Sequence, residues 1–223
     1  MDTNEYILKK FNLKFDDRTK MPIEIPNYGR NNLADLFKEL GFKVGVEIGV
    51  RQGEYSEVIL KANPGVKLYS IDPWVKYEGY LDHTLQGTFD KFYKEAEERL
   101  SKYPNCERIQ KFSLDAVGDF ADESLDFVYI DGNHNFENCT MDISKWLKKI
   151  RVGGIIAGDD YTVWRRPTTM HVVEAVNGFT NAYNIRPWFV LGTKAMLEGQ
   201  IRDKSRSFMW VKTILPRRIR NSQ

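Results

Sequence analysis

Cysteine is scarce: Cys106 and Cys139 are the only two among 223 residues. Two thiols build neither a disulfide framework nor a cysteine-rich metal cluster, and the expectation is a pair of reduced thiols in a cytoplasmic protein. No apolar run approaches the ~20 residues that span a bilayer. The opening Met1-Asp-Thr-Asn-Glu5 is acidic and polar, unlike a secretory signal. One-sided charge is missing too: 33 basic residues face 31 acidic ones and leave +2, too little to argue for nucleic acid or a membrane surface. Internal repeats and low-complexity segments are absent. The remainder, 42% hydrophobic and 29% charged, is the composition of a folded globular chain. Its length suits one α/β domain and would cramp two.

Residues 1–29 are polar and carry Pro22 and Pro26, which reads as a loosely packed lead-in or a lid. A main domain over 30–215 and a basic tail over 216–223, with Arg217, Arg218 and Arg220 at that end, complete the expected organisation. Asn31 or Asn32 is a candidate cap for a helix whose apolar positions Leu33, Leu36, Phe37 and Leu40 stop at Gly41. From there strands and helices alternate. Strands are expected at 44–48, 66–71, 108–112, 125–130, 153–157, 188–191 and 207–212; helices fall near 54–62, 85–102, 136–150 and 171–179. This alternation predicts right-handed crossovers and a mostly parallel sheet with helices on both faces.

Ligands of such sheets bind outside the carboxyl ends of the strands, so the residues at those ends matter most. They are Glu47, Asp72, Ser113, Asp131 and the pair Asp159-Asp160. Glu47-Ile-Gly49-Val-Arg51-Gln-Gly53 joins the first main-domain strand to its helix. Gly49 and Gly53 allow a sharp turn and a close ligand, and the helix start favours an anion. Asp72 ends the next strand, where an acid accepts both ribose hydroxyls. A dinucleotide loop needs a third glycine. Here Arg51 fills the centre, which disfavours a nicotinamide oxidoreductase. An acid two residues before the first glycine is instead a methyltransferase pattern, with Glu47 orienting the loop or meeting a ligand ammonium.

V-G-V-E-I-G-V-R-Q-G-E-Y-S followed by Y-S-I-D-P-W resembles the opening motifs of class I S-adenosylmethionine-dependent methyltransferases. Y-I-D-G-N-H-N-F-E and G-G-I-I-A-G-D-D-Y are similar to segments of the metal-dependent O-methyltransferases that act on catechols and antibiotic sugars. The likeness runs from about Asn31 to Lys212. It implies a Rossmann-like methyltransferase fold: a seven-stranded, mostly parallel sheet with an antiparallel last strand. It also implies S-adenosylmethionine as cofactor and a small-molecule hydroxyl as acceptor.

Asp131, Asp159 and Asp160 end adjacent strands, which lie about 5 Å apart, and three ionised carboxylates that close call for a cation. Oxygen ligands suit Mg²⁺, Ca²⁺ or Mn²⁺, and the resemblance assigns the ion to the same three acids. Catechol-type relatives have asparagine after the second strand-end acid. Asp160 stands there in this chain, which leans toward the sugar type. Asp131 and His134 are the candidates to take the acceptor's proton; His83 and His171 are expected at the surface. Ser113 and Asp131 are further cofactor candidates, and Trp74 is positioned to cover an adenosine or simply to fill the core. Trp164-Arg165-Arg166 falls where such enzymes touch substrate. A nucleic-acid methyltransferase is the rival reading, but Asp131-Gly-Asn-His replaces the D-P-P-Y that amino methylation uses. A binding module without turnover is the second rival, and a homo-oligomer is an open expectation.

Overall fold

The computed structural model describes residues 1–26, 28–78, 85–163, 170–192 and 206–214. Trp164, Arg165, Arg166, His83 and the tail arginines lie outside them. In chain order the elements are α1 (Thr3–Lys10), β1 (Ile23–Ile25), α2 (Arg30–Glu39), β2 (Val44–Ile48), α3 (Glu54–Ala62), β3 (Lys67–Ile71), α4 (Gln86–Leu100) and β4 (Cys106–Ile109). They continue as α5 (Ser113–Ala116), β5 (Leu125–Ile130), α6 (Phe136–Lys149), β6 (Ile150–Gly158), α7 (Val172–Ala182), β7 (Phe189–Leu191) and β8 (Phe208–Val211).

One eight-stranded sheet runs in the order β1-β7-β8-β6-β5-β2-β3-β4. Only β8 is antiparallel to its neighbours. The seven strands expected are present, and β1 is an eighth, paired with β7 through Ile23 and Phe189. Period-two alternation divides the sheet between two cores. Phe127 and Tyr129 of β5 face α2, α3 and α4, while Val128 and Ile130 face α6 and α7. Phe37 of α2 stacks on Phe127 with ring centroids 4.0 Å apart. Burying a side chain of this size contributes about 1.5–3 kcal/mol, so the apolar spacing of α2 fixes its seat.

Residues 1–26 pack against the sheet and α2. Asp2 caps α1 through the Glu5 N–H at 2.8 Å, Ile7 is fully buried, and Thr3 Oγ1 donates to the Gly153 carbonyl at 2.7 Å. No helix among the described residues is long and apolar enough to cross a membrane.

The chain runs β2, β3, β4 in one direction along the sheet and β5, β6 in the other. The order therefore reverses between β2 and β5, and a crevice opens there at the strand ends. Gly49 sits at that point. Its N–H donates to the Ile71 carbonyl at 2.9 Å, and the Asp131 N–H donates to the Ile48 carbonyl at 2.8 Å. With φ at +84°, a Cβ on Gly49 would lie 1.9 Å from the Asp131 carbonyl oxygen. Only glycine lets the two loops meet.

Candidate active site

A cleft of about 400 Å³ lies over the ends of β2, β3 and β5, with Gly49, Asp72, Trp74 and Asp131 in its walls. Asp72 Oδ2 accepts from the Arg51 N–H at 2.9 Å and Oδ1 from the Trp74 N–H at 2.8 Å. These bonds orient the carboxylate, and each oxygen keeps a lone pair for a ligand. Burial pushes the carboxyl up to about 6 against the pull of those main-chain donors. Trp74 is 2% exposed. Its Nε1 donates to the Arg51 carbonyl at 2.7 Å, and its ring meets Tyr93 edge-on at 5.3 Å. It is thus both core and cleft wall. Arg51, at φ +53°, carries its guanidinium over the Phe92 ring at 4.9 Å.

Two loop residues stand behind the cleft rather than in its walls. Gly53, at φ +74°, caps α3 and packs on Leu100. Glu47 is 1% exposed and is hydrogen-bonded by Ser56 Oγ, which also lies 2.7 Å from Ser70 Oγ. Its side chain lies on the α3 face of the sheet, bonded to α3 through Ser56. Burial pushes its carboxyl up to about 8.

Ser113 lines the cleft with its hydroxyl already engaged. It donates to Asp142 Oδ1 at 2.5 Å and accepts from Trp146 Nε1 at 2.8 Å. Its hydroxyl thereby supports Asp142, which shares the cleft wall. Asp142 is a functional candidate the sequence reading missed. It interrupts the apolar stripe Cys139, Ile143, Trp146, Leu147 of α6, and a charged residue within such a stripe is a signal. Tyr77 and Phe112, edge to face at 5.2 Å, were also missed; both line the cleft.

The aspartates divide differently from expectation. Asp131, His134 and Asp160 each offer a ligand atom, all within 4.8 Å of one another. His134 Nε2 lies 3.0 Å from Asp160 Oδ2 and 3.4 Å from Asp131 Oδ1. Asp159 turns away from this trio. It is 6% exposed and takes Arg30 Nη1 at 3.0 Å and Ser207 Oγ at 3.2 Å. Asp159 thus stands outside the group whose ligand atoms converge, because successive residues leave a strand end in opposite directions and Asp160 turns into positive φ, +59°.

Arg30, at the first position of α2, supplies a cation the sequence reading overlooked. Its Nη1 also reaches Asp131 Oδ2 at 3.5 Å, and its guanidinium stacks over Tyr55 at 5.2 Å. Burial disfavours its charge, but Tyr129, Asp159 and Asp131 outweigh that and raise its pKa. Asp159 is pushed up toward neutrality by burial and by the Asp131 charge, with Arg30 opposing. Two carboxylate oxygens and one imidazole nitrogen form a donor set that fits a divalent cation. The nitrogen shifts its preference from Ca²⁺ and Mg²⁺ toward Mn²⁺.

A family model described as a methyltransferase domain matches residues 46–161. That span runs from β2 to the loop after β6 and includes Asp72, Asp131, His134, Asp142 and Asp160. An uncharacterised protein of Acanthamoeba polyphaga mimivirus is 24% identical over 162 residues, which cover 70% of this chain and 69% of that one. Among solved structures, the O-methyltransferase from Bacillus cereus, in complex with SAH, superposes with a TM-score of 0.57. It is 18% identical, over 94% of this chain and 90% of its own. The O-methyltransferase TomG of Streptomyces achromogenes, involved in tomaymycin synthesis and in complex with SAM, gives 0.54 at 18% identity, over 92% and 86%. At these identities the likeness is one of fold.

Proposed function

This chain belongs to the family of methyltransferase domains, and from that premise we propose that it methylates a hydroxyl of a small molecule, with S-adenosylmethionine as donor and a divalent cation at the acceptor. One observation carries the reading. The cleft walled by Gly49, Asp72 and Asp131 adjoins the Asp131, His134, Asp160 trio, and Asp131 belongs to both.

Asp72 is the group to receive the two ribose hydroxyls, and Trp74 bounds the same end of the cleft. Gly49 leaves the main chain bare where the ligand's amino-acid part approaches, with Arg51 beside it to meet a carboxylate. S-adenosylmethionine supplies an electrophilic methyl carried on sulfonium. Asp131, His134 and Asp160 would hold the cation, whose contribution is to lower the pKa of a bound hydroxyl. Without a cation, Asp131 or His134 would be the group to take up that proton instead. Arg30 holds Asp131 and Asp159 apart from mutual repulsion, so the trio keeps its shape while substrates exchange. Alignment of two bound reactants is worth ~7–11 kcal/mol, and a rigid sheet rim is suited to supply it. The two free thiols, Cys106 and Cys139, support a reducing compartment.

The test is release of S-adenosylhomocysteine from S-adenosylmethionine over a panel of vicinal diols and catechols, with Mn²⁺, Mg²⁺ or excess chelator. Turnover is expected on at least one acceptor. Chelator should lower it at least about tenfold, and Asp160→Ala should do the same with cofactor affinity unchanged. Full turnover in chelator would remove the metal. Cofactor binding without turnover on any acceptor would favour a binding module.

A further inference from the structure

Asp131 and Asp159 follow neighbouring strands, and a single nitrogen stands between their carboxylates. Arg30 Nη1 lies 3.0 Å from Asp159 Oδ2 and 3.5 Å from Asp131 Oδ2. The arginine is itself held in place. It opens α2, its carbonyl accepts from Tyr55 Oη at 2.8 Å, and its guanidinium lies over the Tyr55 ring at 5.2 Å. Its side chain is 21% exposed. Arginine does not lose its proton inside a protein, so this cation is a permanent part of the acidic rim.

The pairing divides the carboxylate oxygens. Asp159 has both committed, Oδ2 to Arg30 and Oδ1 to Ser207 Oγ at 3.2 Å. Asp131 turns its two oxygens to different partners, Oδ2 to Arg30 and Oδ1 to His134 Nε2 at 3.4 Å. His134 Nε2 lies 3.0 Å from Asp160 Oδ2. The trio of Asp131, His134 and Asp160 therefore gathers on the Oδ1 side of Asp131, with Oδ2 turned to the guanidinium. That difference matters to a cation. A carboxylate that grips with both oxygens suits Ca²⁺, whose shell is large and flexible. A carboxylate limited to one oxygen suits a smaller ion with an octahedral shell.

We propose that Arg30 selects the cation: by engaging Oδ2 of Asp131 it leaves that acid one oxygen to give, and so favours an octahedral ion such as Mn²⁺ over Ca²⁺. This deepens the reading of Asp131, His134 and Asp160 as a cation site and rests on it. Arg30 is a positioning residue, acting through Asp131 rather than on the ion. Its positive charge has a second effect, a repulsion that weakens every divalent ion alike. The engaged oxygen weakens the larger ion more. His134 favours Mn²⁺ whether or not Arg30 is present, so a change in the ratio of the two affinities belongs to Arg30.

The experiment is calorimetric titration of the intact protein with Mn²⁺ and with Ca²⁺, for the wild type and Arg30→Met, with urea unfolding of each to confirm the fold. The wild-type protein is expected to bind Mn²⁺ the more tightly. Arg30→Met should tighten Ca²⁺ more than Mn²⁺ and narrow the ratio at least about tenfold. If the unpaired Asp159 keeps that variant from folding, Arg30→Met combined with Asp159→Asn removes the buried acid and carries the same expectation. An arginine with a merely structural role would change both affinities together. An unchanged ratio in a folded variant overturns the assignment and leaves the cation site standing. Wild-type protein that binds Ca²⁺ as tightly as Mn²⁺ overturns it as well. No binding of either ion by the wild-type protein would overturn the cation reading, and the assignment with it.

Discussion

At the scale of single residues, Asp159 and Asp160 show how two neighbours take different work. Asp160 points to His134; Asp159 pairs with Arg30 in the interior. Asp159→Asn should leave Mn²⁺ affinity within about threefold yet lower stability by about 1–3 kcal/mol, because the buried guanidinium loses a charged partner. Asp160→Asn keeps the left-handed backbone that asparagine tolerates and should weaken Mn²⁺ at least about tenfold. Titrations of both variants with Mn²⁺, beside urea unfolding, measure the split. Equal losses of affinity would put Asp159 back among the ligands. Glu47 gives a pH signature. Burial raises its carboxyl from 4.5 to about 8, so within that window the folded protein holds a proton the unfolded chain has released. Stability therefore falls as pH rises, by about 1.4 kcal/mol for each pH unit crossed. Asp72 and Asp142, both pushed up to about 6 by burial, act in the same direction at lower pH. Above about pH 6 Glu47→Gln should flatten the unfolding free energy, and a profile as steep as the wild-type one would show that Glu47 does not titrate there.

At the scale of elements, the loop from β2 to α3 is the part most intolerant of added bulk. Gly49→Ala forces a Cβ into the Asp131 carbonyl at positive φ. It should cost more than about 2 kcal/mol and abolish S-adenosylhomocysteine binding. Gly65→Ala, where a Cβ meets nothing within 4 Å, should stay within about 0.5 kcal/mol. Chemical denaturation of the pair decides the matter; similar stabilities would mean the loops separate at no cost. This loop was legible in the sequence because its information is local: two glycines, a strand before them, a helix after. The positions of Asp72 and Asp131 were legible for the same reason, each directly following a strand of mostly apolar residues. Arg30 was not. It meets Asp131 and Asp159 across 101 and 129 residues, and nothing near Asn31 marks it as a partner. Nor did the aspartate pair reveal which member faces His134, because the turn after β6 sets that.

At the scale of the whole molecule, the first 26 residues complete the sheet. The strand Ile23-Glu24-Ile25 alternates buried and exposed, but three residues are too few to stand out from a polar, proline-bearing segment. Its identity comes from β7, which offers an edge to pair with. Arg186 Nη2 ties the same segment down by donating to the Thr19 carbonyl at 2.7 Å. Removing residues 1–26 should uncover Ile7, Ile23 and Ile25 sites and the β7 edge, lowering the melting temperature and promoting association. Scanning calorimetry with light scattering measures this; an unchanged melt would make the segment dispensable. The mostly parallel sheet was legible from alternation alone, whereas the order of strands around the β2–β5 crevice comes from the structure.

All three scales meet in the cleft at the ends of β2, β3 and β5. Calorimetric titration of the wild-type protein and of Asp72→Ala with S-adenosylhomocysteine, and of the wild-type protein with NAD, addresses it most directly. Saturable one-to-one binding of S-adenosylhomocysteine is expected, at least about tenfold weaker in Asp72→Ala, with no response to NAD. Absence of S-adenosylhomocysteine binding, or equal binding by Asp72→Ala, would contradict the adenosyl site.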